Sequence, residues 1–154
     1  MRAVLQRVRS ASVTVDGQTV GSIGRGLVVL LAIGRDDERD DAIYVVEKTA
    51  NMHIFPDDEG HMNRSASEVG AELLVVSQFT LYADTRKGRR PSFTAAAPPG
   101  SAAARFDDAV ARFRATGLRV ETGRFGEMMD VALVNEGPVT IWVDSAERHR
   151  PRRG

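Results

Sequence analysis

The sequence predicts a single α+β domain in which a curled, barrel-like β-sheet, antiparallel or mixed, carries two main helices on its outside. Three observations lead to this prediction. About seven or eight short segments have the apolar patterns of strands, and two segments repeat apolar residues at helical spacing. No linker or internal repeat divides the 154 residues, a length typical of one domain.

The first thirty residues are predicted to form a β-meander. Apolar and polar residues alternate over residues 4–15, and Asp16-Gly17 is a typical hairpin turn. The glycine-rich segment 21–26 is interpreted as another hairpin turn. The apolar run 27–33 has the length of a strand that is buried on both faces.

Two helices are predicted from apolar periodicity. An acidic stretch at residues 36–41 suits a first helical turn, and the apolar spacing after it indicates a helix over about residues 38–50. Ser101 is expected to be the N-cap of a second helix that runs to about Thr116. Residues 84–100, rich in Gly and Pro, are predicted to form a loop.

The remaining strands are short. They are predicted at residues 53–55, 73–76, 118–121, 129–134 and 139–143. Gly137-Pro138 between the last two is interpreted from its residue types as a tight turn. The domain is expected to span residues 1–146, and residues 147–154 to form a basic C-terminal tail.

The composition excludes several classes of site. The chain has no cysteine, so disulfides, thiolate metal sites and cysteine nucleophiles are excluded. No segment has the apolar length of a secretory signal or a membrane span, so no membrane partner and a cytoplasmic location are expected.

The 21 basic and 21 acidic residues are unevenly distributed, with basic clusters at 86–90 and 148–153. Overall neutrality therefore does not argue against a polyanionic partner.

Polar residues follow the buried strand 73–76 directly, which is the first feature that indicates a site. Ser77-Gln78-Phe79-Thr80 can offer hydroxyls and main-chain N–H groups to a ligand at the end of a strand. The alternative is an ordinary edge strand with Phe79 in the core. The following loop carries four cations suited to phosphate, although such clusters are often solvated surfaces: Arg86, Lys87, Arg89 and Arg90.

The histidines do not indicate a metal site. His53 and His61 lie on either side of an acidic turn, at a spacing that matches no ligand template. No metal and no cofactor are predicted. The chain also offers no evident histidine base for a hydroxyl nucleophile.

Taken together, these segments resemble the D-aminoacyl-tRNA deacylase family, first known as D-tyrosyl-tRNA deacylases. The resemblance rests on SQFTLYADTRKGRRPSF at residues 77–93 and NEGPVT at residues 135–140. The opening residues 1–8, the segment 123–126 and Met129 also resemble the family. Two motifs in the right order, in a chain of the expected length, make the resemblance specific.

The resemblance implies an enzyme that hydrolyses the ester between a D-amino acid and the terminal adenosine of tRNA. It implies a small barrel-like β fold with helices outside, a cis bond at Gly137-Pro138, and a homodimer in which this motif reaches the partner's active site. Many D-amino acids, and glycine, are expected as substrates because an L side chain is excluded sterically.

The resemblance also assigns roles to residues. The catalytic segment is expected to be Ser77, Gln78, Phe79 and Thr80, and the filter for chirality Gly137, Pro138, Arg7 and Asn135. An adenosine pocket is expected at Phe125 and Met129. From their charge, the cations of the basic loop are candidates for contacts with tRNA phosphates. So are those of the tail, for which a disordered tail is the alternative: Arg148, Arg150, Arg152 and Arg153.

Two mechanisms are considered. In the first, main-chain N–H groups of Phe79 and Thr80, helped by Gln78, stabilise the oxyanion while the ribose 2′-hydroxyl assists. In the second, Thr80 Oγ1 is the nucleophile, for which no base is evident. Two other functions stay open: a non-catalytic nucleic-acid-binding module, and a deacylase for a small L-amino acid, for which a trans Gly137-Pro138 bond would be the discriminating observation.

Overall fold

The computed structural model describes residues 1–151, which form a nearly closed, barrel-like mixed sheet with helices packed outside. Arg152 and Arg153, expected in the tail, lie outside the described residues. The strands are β1 Arg2–Val15, β2 Gln18–Ile23, β3 Gly26–Ala32, β4 Phe55–Pro56, β5 Met62–Arg64, β6 Glu72–Ser77, β7 Val120–Thr122 and β8 Asp130–Asp144. The helices are α1 Arg39–Asn51, α2 Ala66–Val69 and α3 Pro99–Ala115, with 3-10 helices at Phe79–Tyr82 and Ser145–His149.

Strand β1 organises the sheet because it pairs with three others. Its first half pairs antiparallel with β3, its second half pairs antiparallel with β2, and β8 pairs with it along nearly its whole length. Strands β2 and β3 therefore lie end to end along one edge of β1. The predicted β-meander and the hairpin at residues 21–26 are wrong, because a 14-residue strand has room for both partners.

Three parallel strands complete the sheet. Strand β6 pairs in parallel with β3 and β7, so the carboxyl ends of all three lie at the same edge. At the other end of the strand order β2 returns close to β7: a Cβ atom on Gly21 would lie 2.6 Å from the Thr122 carbonyl oxygen. This approach nearly closes the barrel and leaves room only for glycine.

The core lies on both faces of the central strands. One face of β3, with Leu27, Val29 and Leu31, packs in the cluster that includes residues of α1 and α3. Val28 on the other face belongs to a second cluster inside the curled sheet. The prediction that the apolar run 27–33 is buried on both faces is confirmed. Because β3 packs on both faces, its carboxyl end is held in a fixed position.

Helix α1 confirms the predicted helix, and α3 differs at its start. The N-cap of α3 is Pro98 and the helix begins at Pro99, so the expectation for Ser101 is wrong. Proline is well suited to a first helical position because its φ is already helical. The Ser101 hydroxyl instead donates a hydrogen bond of 3.2 Å to the Pro98 carbonyl. No helix described here is long and apolar enough to cross a bilayer.

Strand β8 also differs from the prediction. The two strands expected at 129–134 and 139–143 are one continuous strand, and Gly137-Pro138 lies within it instead of forming a tight turn. The register of β8 against β1 shifts on both sides of Val8, so the segment forms an irregularity opposite Arg7. Glycine and proline mark bulges as well as turns, which explains the error.

The end of the expected domain and the start of the expected tail form one 3-10 helix, Ser145–His149, that packs against α1. The Ser145 hydroxyl donates a hydrogen bond of 2.6 Å to Asp41 Oδ1, and Arg148 forms an ion pair with the same carboxylate. Burial opposes ionisation of Asp41, yet hydrogen bonds from the Glu38 N–H, Ser145 and Arg148 outweigh it and lower the Asp41 pKa to about 2. The last 3-10 helix is thereby fixed to the domain.

Candidate active site

The segment Ser77-Gln78-Phe79-Thr80 lies at the edge where the three parallel strands end. Ser77 is the last residue of β6 and pairs with Leu31 of β3. The Gln78 N–H donates a hydrogen bond of 2.8 Å to the Leu31 carbonyl, which extends the pairing by one residue. The chain then turns into a 3-10 helix at Phe79. The carboxyl edge of parallel strands is where open α/β sheets bind ligands.

Two main-chain N–H groups at this turn have no acceptor among residues 1–151. The Leu81 N–H donates to the Gln78 carbonyl at 3.1 Å and the Ala83 N–H to the Thr80 carbonyl at 3.0 Å. The N–H groups of Phe79 and Thr80 precede these bonds, in the position where a helical turn leaves its first donors unpaired. Such a pair can accept an anionic oxygen.

The side chains of this segment are accessible. Phe79 is 54% exposed and makes an edge-on contact with Phe93, with ring centroids 5.1 Å apart. The alternative that placed Phe79 in the core of an edge strand is therefore wrong. The Gln78 side-chain amide donates a hydrogen bond to Thr80 Oγ1, so the two polar side chains form one unit.

The expected chirality segment is held by two side chains. Asn135 spans the irregularity: its Oδ1 accepts a hydrogen bond of 3.0 Å from the Val139 N–H, and its Nδ2 donates to Thr140 Oγ1 at 3.0 Å. Arg7 Nε donates to the Glu136 carbonyl at 3.1 Å. A Cβ atom on Gly137, whose φ is +131°, would lie 3.1 Å from Arg7 Nη2.

The peptide bond between Gly137 and Pro138 is cis, the isomer that the family resemblance implies and not the trans isomer required by the alternative of an L-specific deacylase. Both residues are exposed on the outer edge of β8. Their main-chain atoms are therefore open to a neighbouring molecule.

Within one chain the two motifs are far apart. Ser77 pairs with Leu31, Leu31 with Ala3, and Ala3 with Val143, so Val143 marks the level of the catalytic segment on β8. The Gly137-Pro138 segment lies opposite Arg7, four residues from Ala3 along β1, which is about 13 Å along the strand. Three strand spacings add to this separation. One copy of the chain does not bring Gly137-Pro138 to Ser77-Thr80.

The expected adenosine-pocket residues lie in the segment that follows β7. The Gly123 N–H donates a hydrogen bond of 3.4 Å to the Val75 carbonyl, so residues after it run past the end of β6. Phe125 is half-buried, and its ring lies 5.7 Å from that of Phe106 in α3. Met129 is also half-buried but packs against the second core cluster. Phe125 packs against the first core cluster, so the two residues line opposite sides of this segment.

The basic loop is exposed, and its four cations are not equivalent. Arg86 pairs with Asp84 through hydrogen bonds of 2.9 and 2.6 Å. These bonds lower the pKa of Asp84 to about 2. Lys87, Arg89 and Arg90 have no ion-pair partner within residues 1–151, and they are the stronger candidates for phosphate.

Two cations of the tail already have acidic partners. Arg148 pairs with Asp41, and Arg150 lies 3.9 Å from Glu147.

In the described part of the chain no group of three or more His, Cys, Asp or Glu side chains could hold a metal ion. His53 lies 3.9 Å from Glu68, and His61 lies 3.6 Å from Glu59.

Sequence reasoning missed one charged cluster next to the Gly137-Pro138 segment. The Glu136 carboxylate lies 3.5 Å from Arg7 Nε and 3.4 Å from Arg25 Nε. These three residues come from β8, β1 and the β2–β3 connection. The sequence offers no signal for this cluster, because it depends on the unpredicted pairing of β1 with β8.

The chain was compared with known families and structures. A family model described as D-Tyr-tRNA(Tyr) deacylase matches residues 4–144. A D-aminoacyl-tRNA deacylase of Roseiflexus sp. (strain RS-1) is 59% identical over 152 residues, covering 99% of this chain and 98% of the relative. A D-aminoacyl-tRNA deacylase of Thermus aquaticus is 54% identical over 148 residues, covering 96% and 97%.

Solved structures agree with the fold. A structure titled c-Myc DNA Unwinding Element Binding Protein superposes with a TM-score of 0.89 at 39% identity, covering 94% of this chain and 98% of the other. A second, titled as a probable eukaryotic D-amino acid tRNA deacylase, has a TM-score of 0.78 at 22% identity and covers 93% and 98%. At that identity the second match supports the barrel-like fold alone.

Proposed function

The chain belongs to the D-Tyr-tRNA(Tyr) deacylase family, and from this premise we propose that it hydrolyses the ester bond of D-aminoacyl-tRNA. The products are free tRNA and the D-amino acid, so the reaction removes D-amino acids before they enter protein synthesis. The nearly full-length match with D-aminoacyl-tRNA deacylases is the observation that carries this proposal. We place the reaction in the cytoplasm, where aminoacyl-tRNA is used.

The N–H groups of Phe79 and Thr80 are proposed to form the oxyanion hole. Water attacks the ester carbonyl carbon and gives up a proton while the carbonyl oxygen becomes negative. When the intermediate collapses, the bond between the carbonyl carbon and the ribose oxygen breaks, and the ribose oxygen takes up that proton. Two unpaired N–H groups at the start of a 3-10 helix suit that negative oxygen, and each such donor can contribute about 2.7–4 kcal/mol. The adjacent ribose 2′-hydroxyl is proposed to assist, so no strong protein base is required.

Thr80 is proposed to position the substrate and not to attack it. Its hydroxyl already accepts a hydrogen bond from Gln78, which withdraws electron density from the oxygen. A nucleophilic hydroxyl needs a base on its proton. His53 lies beside Glu68 and His61 beside Glu59 of its own turn, and neither histidine hydrogen-bonds Thr80 in the described part of the chain, so neither is assigned that role.

A homodimer is proposed to complete the site. The register of the sheet separates Gly137-Pro138 from Ser77-Thr80 within one chain, while Gly137-Pro138 and the Phe79-Thr80 end of the other segment are exposed. A second copy can bring its Gly137-Pro138 segment against the substrate carbon, where main-chain atoms crowd an L side chain. Exclusion of this kind recognises no particular side chain, so many D-amino acids and glycine are expected to be hydrolysed.

The tRNA is proposed to approach across the carboxyl edge. Phe125 offers half-buried apolar surface for the terminal adenosine at that edge, and Met129 supports the segment that carries Phe125 from its other side. Lys87, Arg89 and Arg90 offer charge for the acceptor-stem phosphates nearby.

Hydrolysis of D- and L-tyrosyl-tRNA, measured side by side with purified chain, tests this proposal. Release of free tyrosine from the D-ester, at least a hundredfold faster than from the L-ester, is expected. Equal rates on both esters, or no release from either, would refute it. Glycyl-tRNA serves as a third substrate, and the steric model expects it to be cleaved.

The structural relative at 39% identity whose title names DNA unwinding element binding favours one second candidate, a DNA-binding module. The exposed cations of the basic loop would suit that role. Duplex DNA added to the deacylation assay separates the two functions. If the chain is a deacylase, we expect its rate of ester cleavage to be unchanged when duplex DNA is added at moderate concentration. If it is a DNA-binding module, we expect it to bind the duplex DNA and to cleave neither ester.

A further inference from the structure

The cluster of Arg7, Glu136 and Arg25 connects the Gly137-Pro138 segment to the rest of the barrel. Arg7 is only 8% exposed, and its Nη1 donates a hydrogen bond of 2.6 Å to the Ile54 carbonyl. Its Nε donates to the Glu136 carbonyl, and its Nη2 faces Gly137. A buried guanidinium in this position needs a countercharge, because desolvation of an unpaired charge is costly.

Glu136 supplies that countercharge from the residue directly before Gly137. Its Oε2 lies 3.5 Å from Arg7 Nε, and it is the acidic group that pairs with Arg7 in the described part of the chain. Glu136 therefore contacts Arg7 twice, through its main-chain carbonyl and through its carboxylate. Two contacts from one residue fix both the position and the rotation of the peptide that leads into Gly137.

Arg25 holds the same carboxylate from the opposite side. Its Nε lies 3.4 Å from Glu136 Oε2, and its guanidinium lies 5.7 Å from the centroid of the buried Phe55 ring. Arg25 is half-exposed, so it can be removed without opening the core. It restricts the Glu136 side chain to the rotamer that faces Arg7.

We propose that Glu136 and Arg25 are positioning residues for stereochemical selection: Glu136 fixes the Gly137-Pro138 segment through Arg7, and Arg25 fixes Glu136. This inference rests on the proposed function, because it assigns these residues to the selection step of that reaction. Neither residue touches the substrate. Their loss is expected to leave cleavage of the D-ester nearly intact and to let the L-ester enter the site.

The test is the ratio of kcat/KM values for D- and L-tyrosyl-tRNA in Glu136→Gln. The amide keeps the size of the side chain and the main-chain carbonyl, but it removes the countercharge. The ratio is expected to fall at least tenfold through a rise in L-ester cleavage. Glu59→Gln is the matched control, since it removes the same charge from an exposed turn and is expected to keep the ratio of the unmodified protein.

Arg25→Ala and the double variant test whether the two residues act together. Arg25→Ala is expected to lower the ratio about threefold to tenfold and to have no further effect in Glu136→Gln, because residues that act through one another are not additive. Glu136→Asp is expected to recover part of the selectivity. Unchanged selectivity in Glu136→Gln, or additive effects in the double variant, would overturn the inference.

The control on the unmodified protein separates this inference from the proposed function. If the unmodified protein does not prefer the D-ester, the proposed function fails. If it does prefer the D-ester and Glu136→Gln retains the same ratio, the inference alone fails. A circular dichroism spectrum and a thermal unfolding curve for each variant identify any loss of fold, and Arg25→Ala provides the exposed position at which none is expected.

Discussion

The Gln78 side-chain amide donates a hydrogen bond to the hydroxyl oxygen of Thr80 across one turn of the chain. The same turn holds the N–H groups of Phe79 and Thr80 at the carboxyl edge of β6. A hydrogen bond of this kind fixes the Thr80 rotamer and lowers the nucleophilicity of its oxygen. The arrangement therefore supports a site that acts through oriented dipoles.

Thr80→Ala is expected to lower kcat for D-tyrosyl-tRNA by about tenfold to a hundredfold, the scale of lost positioning and weakened oxyanion stabilisation. Single-turnover deacylation measures this effect. Thr80→Ser keeps the hydroxyl and is expected to stay within about threefold of the unmodified protein. A loss above a thousandfold in Thr80→Ala with KM unchanged would instead favour Thr80 as the nucleophile.

Asn135→Ala is expected to destabilise the chain and to reduce stereochemical selection together. The substitution removes the acceptor of the half-buried Val139 N–H, which costs about 0.5–1.5 kcal/mol in free energy of unfolding. Urea unfolding measures the stability, and L-tyrosyl-tRNA cleavage measures the selection. Asn135→Asp keeps Oδ1 as an acceptor. If Asn135→Asp lost as much stability and selectivity as Asn135→Ala, the assigned role would be contradicted.

Local patterns predicted the parts of the fold that depend on neighbouring residues. The Asp16-Gly17 hairpin, the doubly buried β3 and helix α1 each follow from periodicity or turn chemistry within a few residues. Helix α2 was missed although Ser65 and Glu68 form a capping box, because the helix has only four residues. Residues 77–80 drew attention because polar residues follow a buried strand directly, but the expected catalytic role came from the family resemblance and not from this pattern.

Long-range pairing was the part that local patterns could not predict. The division of β1 between β2 and β3 depends on pairings between residues up to 30 positions apart. The continuity of β8 through Gly137-Pro138 depends on its pairing with β1, between residues more than a hundred positions apart. The Arg7–Glu136 pair exists only because of that second pairing. The pairing of Arg86 with Asp84 is local, but the pattern of charges does not show which of the neighbouring cations takes that carboxylate.

Unequal roles are expected for the cations of the basic loop. Replacing Lys87, Arg89 and Arg90 together by Ala is expected to reduce the slope of log kcat/KM against log salt by about 2, since each phosphate contact to a nucleic acid contributes about 0.7–0.9. Arg86→Ala is expected to change the slope less, because Asp84 already pairs with Arg86. Arg112→Ala, whose partner is Asp108 on α3, is the control for net charge. Equal slopes in the triple variant and the control would exclude the loop from the tRNA interface.

Stability is expected to depend on the ionisation of Asp41 at acid pH. Because folding lowers its pKa from 3.8 to about 2, the carboxylate stabilises the folded state fully above about pH 4, and this contribution is lost as pH falls from 4 towards 2. The shift corresponds to about 2 kcal/mol. Urea unfolding at pH 7, 4 and 3 is expected to show this loss in the unmodified protein and a flatter profile in Asp41→Asn. Asp108→Asn, an exposed ion-pair partner on α3, is the control and is expected to retain the loss.

Mixing two variants tests whether the filter comes from the partner chain. One chain carries Glu136→Gln, which is expected to admit the L-ester, and the other carries Thr80→Ala, which is expected to cleave slowly but has an intact filter. In a mixed dimer the active Thr80 site of the first chain receives the intact Gly137-Pro138 segment of the second. With a tenfold excess of the Thr80→Ala chain, after exchange of subunits, L-ester cleavage per Glu136→Gln chain is expected to fall towards the level of the unmodified protein. Cross-linking verifies that mixed dimers have formed. If they form and L-ester cleavage stays constant, the filter belongs to the same chain as the catalytic segment, and the proposed arrangement of the dimer is wrong.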